Sequence, residues 1–192
     1  MRLFVAAEPS ANVRRKAAEI ASAVRNTLEM KGVVGRCRWL PQENLHFTVW
    51  FLGELSEERS AAVLRGLGPA LAQKAFRLHL SGLGTFPPSG SPRVIWMGVT
   101  EGLDALSRVH DEVATRLAPW GFQQEARRYS AHLTLARIKA PLSAGVSAVL
   151  RDALAKCPAD AGTCRIDALT VFRSRTSPNG AVYEPLLRVP LS

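Results

Sequence analysis

Hydrophobic and polar positions change period in blocks along the chain. Residues 2–8, Arg-Leu-Phe-Val-Ala-Ala-Glu, form a short and almost wholly apolar run, the pattern of a buried strand. Pro9 and Ser10 stop it, and Ser10 or Asn12 is placed to cap a helix reaching roughly Met30, beyond which Gly32 and Gly35 break the pattern. Residues 45–52, Leu-His-Phe-Thr-Val-Trp-Phe-Leu, predict a strand ended by Gly53. Ser56-Glu57-Glu58-Arg59 then opens a helix to about Lys74, with Ser56 as N-cap. Residues 76–83 alternate as a strand, with Phe76, Leu78 and Leu80 on one face and Arg77, His79 and Ser81 on the other. A loop rich in Gly, Pro and Ser covers 82–92.

The order then recurs. A strand is predicted at 93–99, a helix from about Leu103 to Leu117, a strand at 131–137, a helix near 143–156, and strands at 165–172 and 181–189. Strand, helix, strand, helix, strand occurs twice, with matching elements 86 to 91 residues apart, so the chain reads as a duplication. Two similar α+β units bury their apolar faces by packing as two lobes with a cleft between them. No linker is long enough to separate them, so residues 1–192 are expected to form one domain.

Composition narrows the class. With 47% hydrophobic and 21% charged residues, disorder and collagen-like repeats are excluded. No apolar run approaches the ~18–20 residues of a membrane span, and Glu8 comes too early for a secretory signal, so a cytoplasmic protein without a membrane partner is expected. The net charge is +9, and 20 of the 25 basic residues are Arg, whose planar fork grips phosphate. This permits a nucleic-acid partner without demanding one, since a bias toward Ala and Arg gives the same excess. Cys37, Cys157 and Cys164 are odd in number and form no Cys-x-x-Cys pair, which argues against a disulfide framework or a structural zinc site.

The chemistry lies in a repeated tetrapeptide. His46-Phe47-Thr48-Val49 and His132-Leu133-Thr134-Leu135 occupy matching strands of the two repeats. Strand side chains alternate with period two, so His46 and Thr48 share a face opposite Phe47, Val49 and Phe51, and His132 and Thr134 share a face opposite Leu133 and Leu135. If the two strands meet across the cleft, two imidazoles and two hydroxyls converge. Imidazole titrates near pH 6.5, so one ring serves as acid while the other serves as base. The Thr hydroxyls donate to non-bridging oxygens as charge builds. No nucleophile with an adjacent base is evident, so water must attack. A zinc site using both histidines lacks an obvious third ligand. The chemistry best matched is metal-free hydrolysis or transesterification at phosphorus. His79 and His110 lie outside the pattern and are assigned structural roles.

These residues resemble the two-histidine phosphoesterases, in particular the RNA 2′,3′-cyclic phosphodiesterases, also called 2′-5′ RNA ligase-like proteins. The likeness covers nearly the whole chain. It is carried by Arg2-Leu3-Phe4-Val5-Ala6, by Trp39 to Thr48 with Phe51-Leu52-Gly53, by Gly82 to Pro87 with Pro92 to Trp96, by His132 to Arg137, and by Val171 to Arg175 with Tyr183 to Leu186. The resemblance implies a bilobal domain over 1–192 of two pseudo-symmetric lobes, each an antiparallel sheet with helices on its outer face. The active-site cleft lies between the lobes, and the chain crosses from one to the other. It also implies opening of a terminal 2′,3′-cyclic phosphate to a 2′-phosphomonoester. His46 would be the proton donor to the departing 3′ oxygen, His132 the proton acceptor that activates water, and Thr48 and Thr134 the holders of phosphate oxygens. No cofactor and no metal are implied. The partner is an RNA with a 2′,3′-cyclic phosphate end, tRNA fragments being candidates, bound by a monomer. Alternatives are 2′-5′ ligation at the same site, hydrolysis of 2′-5′-linked or small cyclic nucleotides, and a non-catalytic protein that binds RNA ends.

Arg137 matches a family arginine that binds phosphate, but strict alternation puts it on the face opposite His132 unless the strand ends or bulges near Ala136. Arg127, Arg128 and Tyr129 are placed to grip phosphate and stack a base. Trp50 shares the His46 face by parity, where it would stack on a base or narrow the cleft. Ala131 stands where the family usually has Pro.

Overall fold

The computed structural model describes residues 1–33, 35–123, 129–178 and 180–192. Its strands are β1 (Arg2–Ala7), β2 (Cys37–Trp39), β3 (Phe47–Glu54), β4 (Phe76–Phe86), β5 (Val94–Glu101), β6 (Leu133–Ile138), β7 (Asp160–Ile166), β8 (Ala168–Ser177) and β9 (Gly180–Pro190). Its α-helices are α1 (Ala11–Met30), α2 (Glu57–Leu67), α3 (Leu103–Leu117) and α4 (Ala144–Lys156). In α1 the buried residues Val13, Ala17, Ala21, Val24 and Leu28 recur at three and four, which makes one stripe along the helix. Ser10 occupies the N-cap position without a side-chain capping bond, and Asn12 lies inside the helix. Ser56 caps α2 as expected by accepting from the Arg59 N–H. That helix stops at Leu67 rather than near Lys74 because Pro69 follows Gly68 and has no N–H to continue the hydrogen-bond ladder. In contrast, β4 runs on through the glycines expected to be loop. Gly84 lies beneath the Trp96 ring, where a Cβ would sit 2.3 Å from a ring carbon, so this strand position requires glycine. The strand expected at 165–172 is two strands, broken at Asp167, and β2 had no readable pattern at three residues.

The strands form one antiparallel sheet in the order β7-β4-β5-β6-β3-β1-β8-β9, with β2 paired to β6. The middle is thin: β3 and β6 are joined through the single pair Phe47↔Leu133. Two half-sheets therefore meet there, β6-β5-β4-β7 and β3-β1-β8-β9. Neither equals one repeat. β4 of the first repeat pairs with β5 of the second, and β8 of the second pairs with β1 of the first. The helices cross likewise. Helix α1 lies against β6 and β7 beside α4, while α3 lies against β3 beside α2. The expected α+β fold with two similar lobes thus stands, built by exchange of elements between the repeats.

The helix-covered face buries the main core, including Leu3, Val5, Phe47, Val63, Leu106, Leu133 and Val171. The opposite face carries a separate small cluster of Phe4, Ala6, Phe172 and Tyr183. No helix of the described residues is long and apolar enough to cross a membrane.

Candidate active site

The two histidines sit one residue before their strands, at the point where the half-sheets touch. Phe47 and Leu133, the residues that follow them, are paired across β3 and β6 and fully buried toward the helices. Alternation therefore turns His46, Thr48, His132 and Thr134 to the opposite face. Continuing the antiparallel register from that pair sets His46 toward Thr134 and His132 toward Thr48. The sheet junction itself brings together four side chains from the two motifs, 86 residues apart.

Both imidazoles are held by the same local device. The Nδ1–H of His46 donates to the Asn44 carbonyl at 2.8 Å, and that of His132 donates to the Ser130 carbonyl at 2.8 Å. In each case the acceptor is two residues upstream. Fixing Nδ1 as the donor makes Nε2 the basic nitrogen of each neutral ring. The Nε2 of His46 lies 3.1 Å from the Thr48 hydroxyl. Asn44 is itself tied down, since its side-chain amide donates to the Ala181 carbonyl on β9 at 2.8 Å. Aromatic rings flank each histidine: Phe4 at 4.9 Å and the edge-on Tyr183 at 5.2 Å beside His46, and the edge-on Phe86 at 4.9 Å beside His132.

Burial pushes His46 down to a pKa of about 4. The Asn44 carbonyl and the Glu8 carboxylate oppose that shift, while the positive charges of Arg137 and His132 reinforce it. The His46 ring is therefore neutral near pH 7 in the free protein, and an anion placed between the histidines favours its protonation.

The conflict at Arg137 resolves in the structure. Ile95 pairs with Ala136 but Trp96 pairs with Thr134, so Leu135 is an extra residue on β6, a bulge. Val94 and Trp96 share a face of β5, and their partners are Arg137 and Thr134. The bulge thus brings Arg137 to the histidine face. A corresponding irregularity on β3 has the reverse effect on Trp50. Val5 pairs with Trp50 and Ala6 with Thr48, which makes Val49 the extra residue. Trp50 turns to the core face, 8% exposed, with its ring 5.2 Å from that of His110 on α3. Phe51, expected on the apolar face, instead pairs with Phe4 on the cleft face and is 62% exposed.

A cavity of about 450 Å³ opens beside Thr48 and His132, where β3 diverges from β6. Phe51, Phe86, Phe122 and Tyr129 supply aromatic walls, with Trp50 and His110 also lining it. Tyr129 donates its hydroxyl to the Thr48 carbonyl at 3.0 Å, and its ring stacks on His110 at 4.4 Å. Burial pushes the Tyr129 phenol up. Arg127 and Arg128 lie outside the described residues. Among those described, no three His, Cys, Asp or Glu side chains converge as a metal site would require. His79 bonds to Thr163 and Asp160 between β4 and β7, away from the junction.

The family model of the 2′-5′ RNA ligase superfamily matches residues 9–178. The chain belongs to that superfamily. An RNA 2′,3′-cyclic phosphodiesterase of Archaeoglobus fulgidus is 33% identical over 187 residues, which cover 97% of this chain and 98% of that one. One from Methanocaldococcus jannaschii is 32% identical over 185 residues, covering 96% and 97%. Among solved structures, TT0787 of Thermus thermophilus superposes with a TM-score of 0.75 at 26% identity, covering 99% of this chain and 97% of that one. The fold is also that of E. coli LigT complexed with 3′-AMP, with a TM-score of 0.70 at 23% identity over 100% and 98% of the two chains.

In this superfamily member, Ala131 packs against the main core, and the His132–Ser130 bond is present with it. Sequence reasoning did not place Phe51 or His110 at this cavity, which both of them line. A one-residue bulge hides Phe51 from any parity argument. His110 did carry a signal, because it falls on the apolar stripe Leu106, Val109, Val113, Leu117 of α3.

Proposed function

We propose that this superfamily member hydrolyses RNA 2′,3′-cyclic phosphate ends to 2′-phosphomonoesters without a metal. The observation that carries this reading is the Phe47↔Leu133 pair, which sets two Nδ1-anchored imidazoles and two hydroxyls on one side of the sheet junction. Phosphorus sits between the histidines. His132 Nε2 takes a proton from the attacking water, and the new P–O bond forms as the P–O3′ bond breaks. His46 Nε2 gives its proton to the departing 3′ oxygen. Thr48, Thr134 and Arg137 hold the non-bridging oxygens, where charge accumulates. The bound anion offsets the burial that keeps His46 neutral in the free protein. The aromatic cavity beside Thr48 takes the terminal base, with the exposed Phe51 as its stacking surface.

The test is product analysis on an oligonucleotide ending in a 2′,3′-cyclic phosphate, with EDTA present. A 2′-monoester forms, and His46→Ala and His132→Ala each lower turnover about 10²–10⁴-fold while the protein stays folded. Turnover that disappears in EDTA and returns with zinc overturns the metal-free mechanism. Binding of the RNA end without turnover overturns the enzymatic reading. Side-by-side rates on a 2′-5′-linked dinucleotide and a small cyclic nucleotide rank the substrates.

A further inference from the structure

Three arginines gather on the histidine face, Arg137 beside the histidines and Arg38 and Arg2 further out. Arg38 on β2 is directly paired with Arg137 on β6, so the two share a face. Arg2 falls on the same side of β1 as Phe4 and Ala6, the cleft side. All three charges act on the Tyr183 hydroxyl, and the Tyr183 ring lies 5.2 Å from that of His46. The Arg38 guanidinium lies over Gly180 at the start of β9, where a Cβ would come within 2.6 Å of its nitrogen. None of the three makes an ion pair with a described residue, although Arg175 nearby on the β8–β9 hairpin is paired with Glu184. Like charges directly opposite one another in a sheet are destabilising. A cluster of guanidinium groups that no described carboxylate pairs with is the chemistry of an anion site.

One phosphate does not account for all of it. Arg137 is the arginine nearest the histidines along β6, so it serves the reacting phosphate. Arg38 and Arg2 extend the cluster around Tyr183, which lies against His46 and, like both arginines, is not among the residues that line the aromatic cavity. The ribose of a terminal cyclic phosphate sends its two substituents apart. The base leaves from C1′, beside C2′, and the 5′ arm leaves from C4′, beside C3′. With the base in the cavity, the 5′ arm and the phosphodiester it carries point toward Arg38.

We infer that Arg38, with Arg2, forms a second phosphate subsite that grips the phosphodiester joining the terminal nucleotide to the preceding one. The preferred substrate is then an RNA strand rather than a cyclic mononucleotide. This rests on the reading of the site as a cyclic phosphodiesterase.

A double cycle tests it, with one change on the protein and one on the substrate. The substrates are a dinucleotide ending in a 2′,3′-cyclic phosphate, the same molecule with an uncharged methylphosphonate linkage, and the cyclic mononucleotide. The wild type prefers the charged dinucleotide to either of the others by about tenfold or more in kcat/KM, the size of a charge-assisted bond. Arg38→Gln lowers kcat/KM on the charged dinucleotide by the same factor and erases its preference over the methylphosphonate. The salt slope of kcat/KM on the dinucleotide falls by about 0.7. Losses that simply multiply, or a wild type that turns over all three substrates equally, overturn the subsite. No turnover of any of the three overturns the underlying reading instead. Arg2→Gln repeats the cycle on the second arginine.

Discussion

At the scale of single residues, the site depends on how each imidazole is held. His46 reaches the reacting position because its Nδ1–H donates to the Asn44 carbonyl, and Asn44 is fixed in turn by the hydrogen bond its side-chain amide donates to the Ala181 carbonyl, 137 positions away along the chain. Asn44 is thus a positioning residue. Asn44→Ala is expected to lower kcat about tenfold or more with little change in KM, and to move the pH limb that belongs to His46. A variant with an unchanged kcat and only a lower Tm would remove this role. The pH profile itself carries a second prediction. With His46 held near 4 in the free protein, one limb of kcat/KM lies near that value. In kcat the limb moves to higher pH, because the bound anion favours the imidazolium. Both limbs of kcat/KM lying above pH 6 would contradict it. The same depression is a statement about stability. The unfolded histidine takes its proton near 6.5 and the folded one only near 4. The stability contributed by neutral His46 is therefore complete above about 6.5 and lost as pH falls through about 4. In thermal melts, His46→Gln is expected to lose less Tm than the wild type between pH 7 and 4.

At the scale of elements, two bulges decide which side chains reach the cleft. One extra residue on β6, Leu135, delivers Arg137 to the histidines, and one on β3, Val49, turns Phe51 to the histidine face and Trp50 toward His110 on α3. Hydrophobic alternation is visible in a sequence, but a bulge inverts it without any change in composition. Trp50→Ala is therefore a core substitution and is expected to cost about 3–5 kcal/mol of stability, read by denaturant melts. Phe51→Ala is expected to leave stability nearly unchanged while raising KM about tenfold through loss of base stacking. The opposite outcome, a stable Trp50 variant and an unfolded Phe51 variant, would mean the register of β3 is wrong. The helices were more legible than the strands because their apolar stripes extend over several turns. α1 and α3 lie close to where periodicity placed them, and α2 fell short only at Gly68-Pro69.

At the scale of the whole molecule, the repeats are not independent units. β8 completes the half-sheet of β1 and β3, while β4 completes that of β5 and β6, so each half-sheet needs strands from both ends of the chain. A chain divided in the loop before β5 exposes unpaired strand edges in both pieces. Fragments 1–90 and 91–192 are expected to show no cooperative melting alone and to recover it when mixed. The intact protein is expected to melt in one transition. A fragment that melts cooperatively by itself would contradict the exchanged topology. The narrow contact of Phe47 with Leu133 is also what makes a cleft possible, because two fully paired half-sheets would leave no divergence for a base to enter.

The primary structure alone determined the repeated order of elements, the α+β class and the identity of the paired His-x-Thr motifs, because these are properties of order, period and residue type. It could not decide which neighbours those motifs would have. The exchange of strands between repeats, the β2 strand that brings Arg38 beside Arg137, and the faces of Arg137, Trp50 and Phe51 are all set by register. Register is decided between segments distant in the chain, by which apolar faces bury together, and no local pattern encodes it.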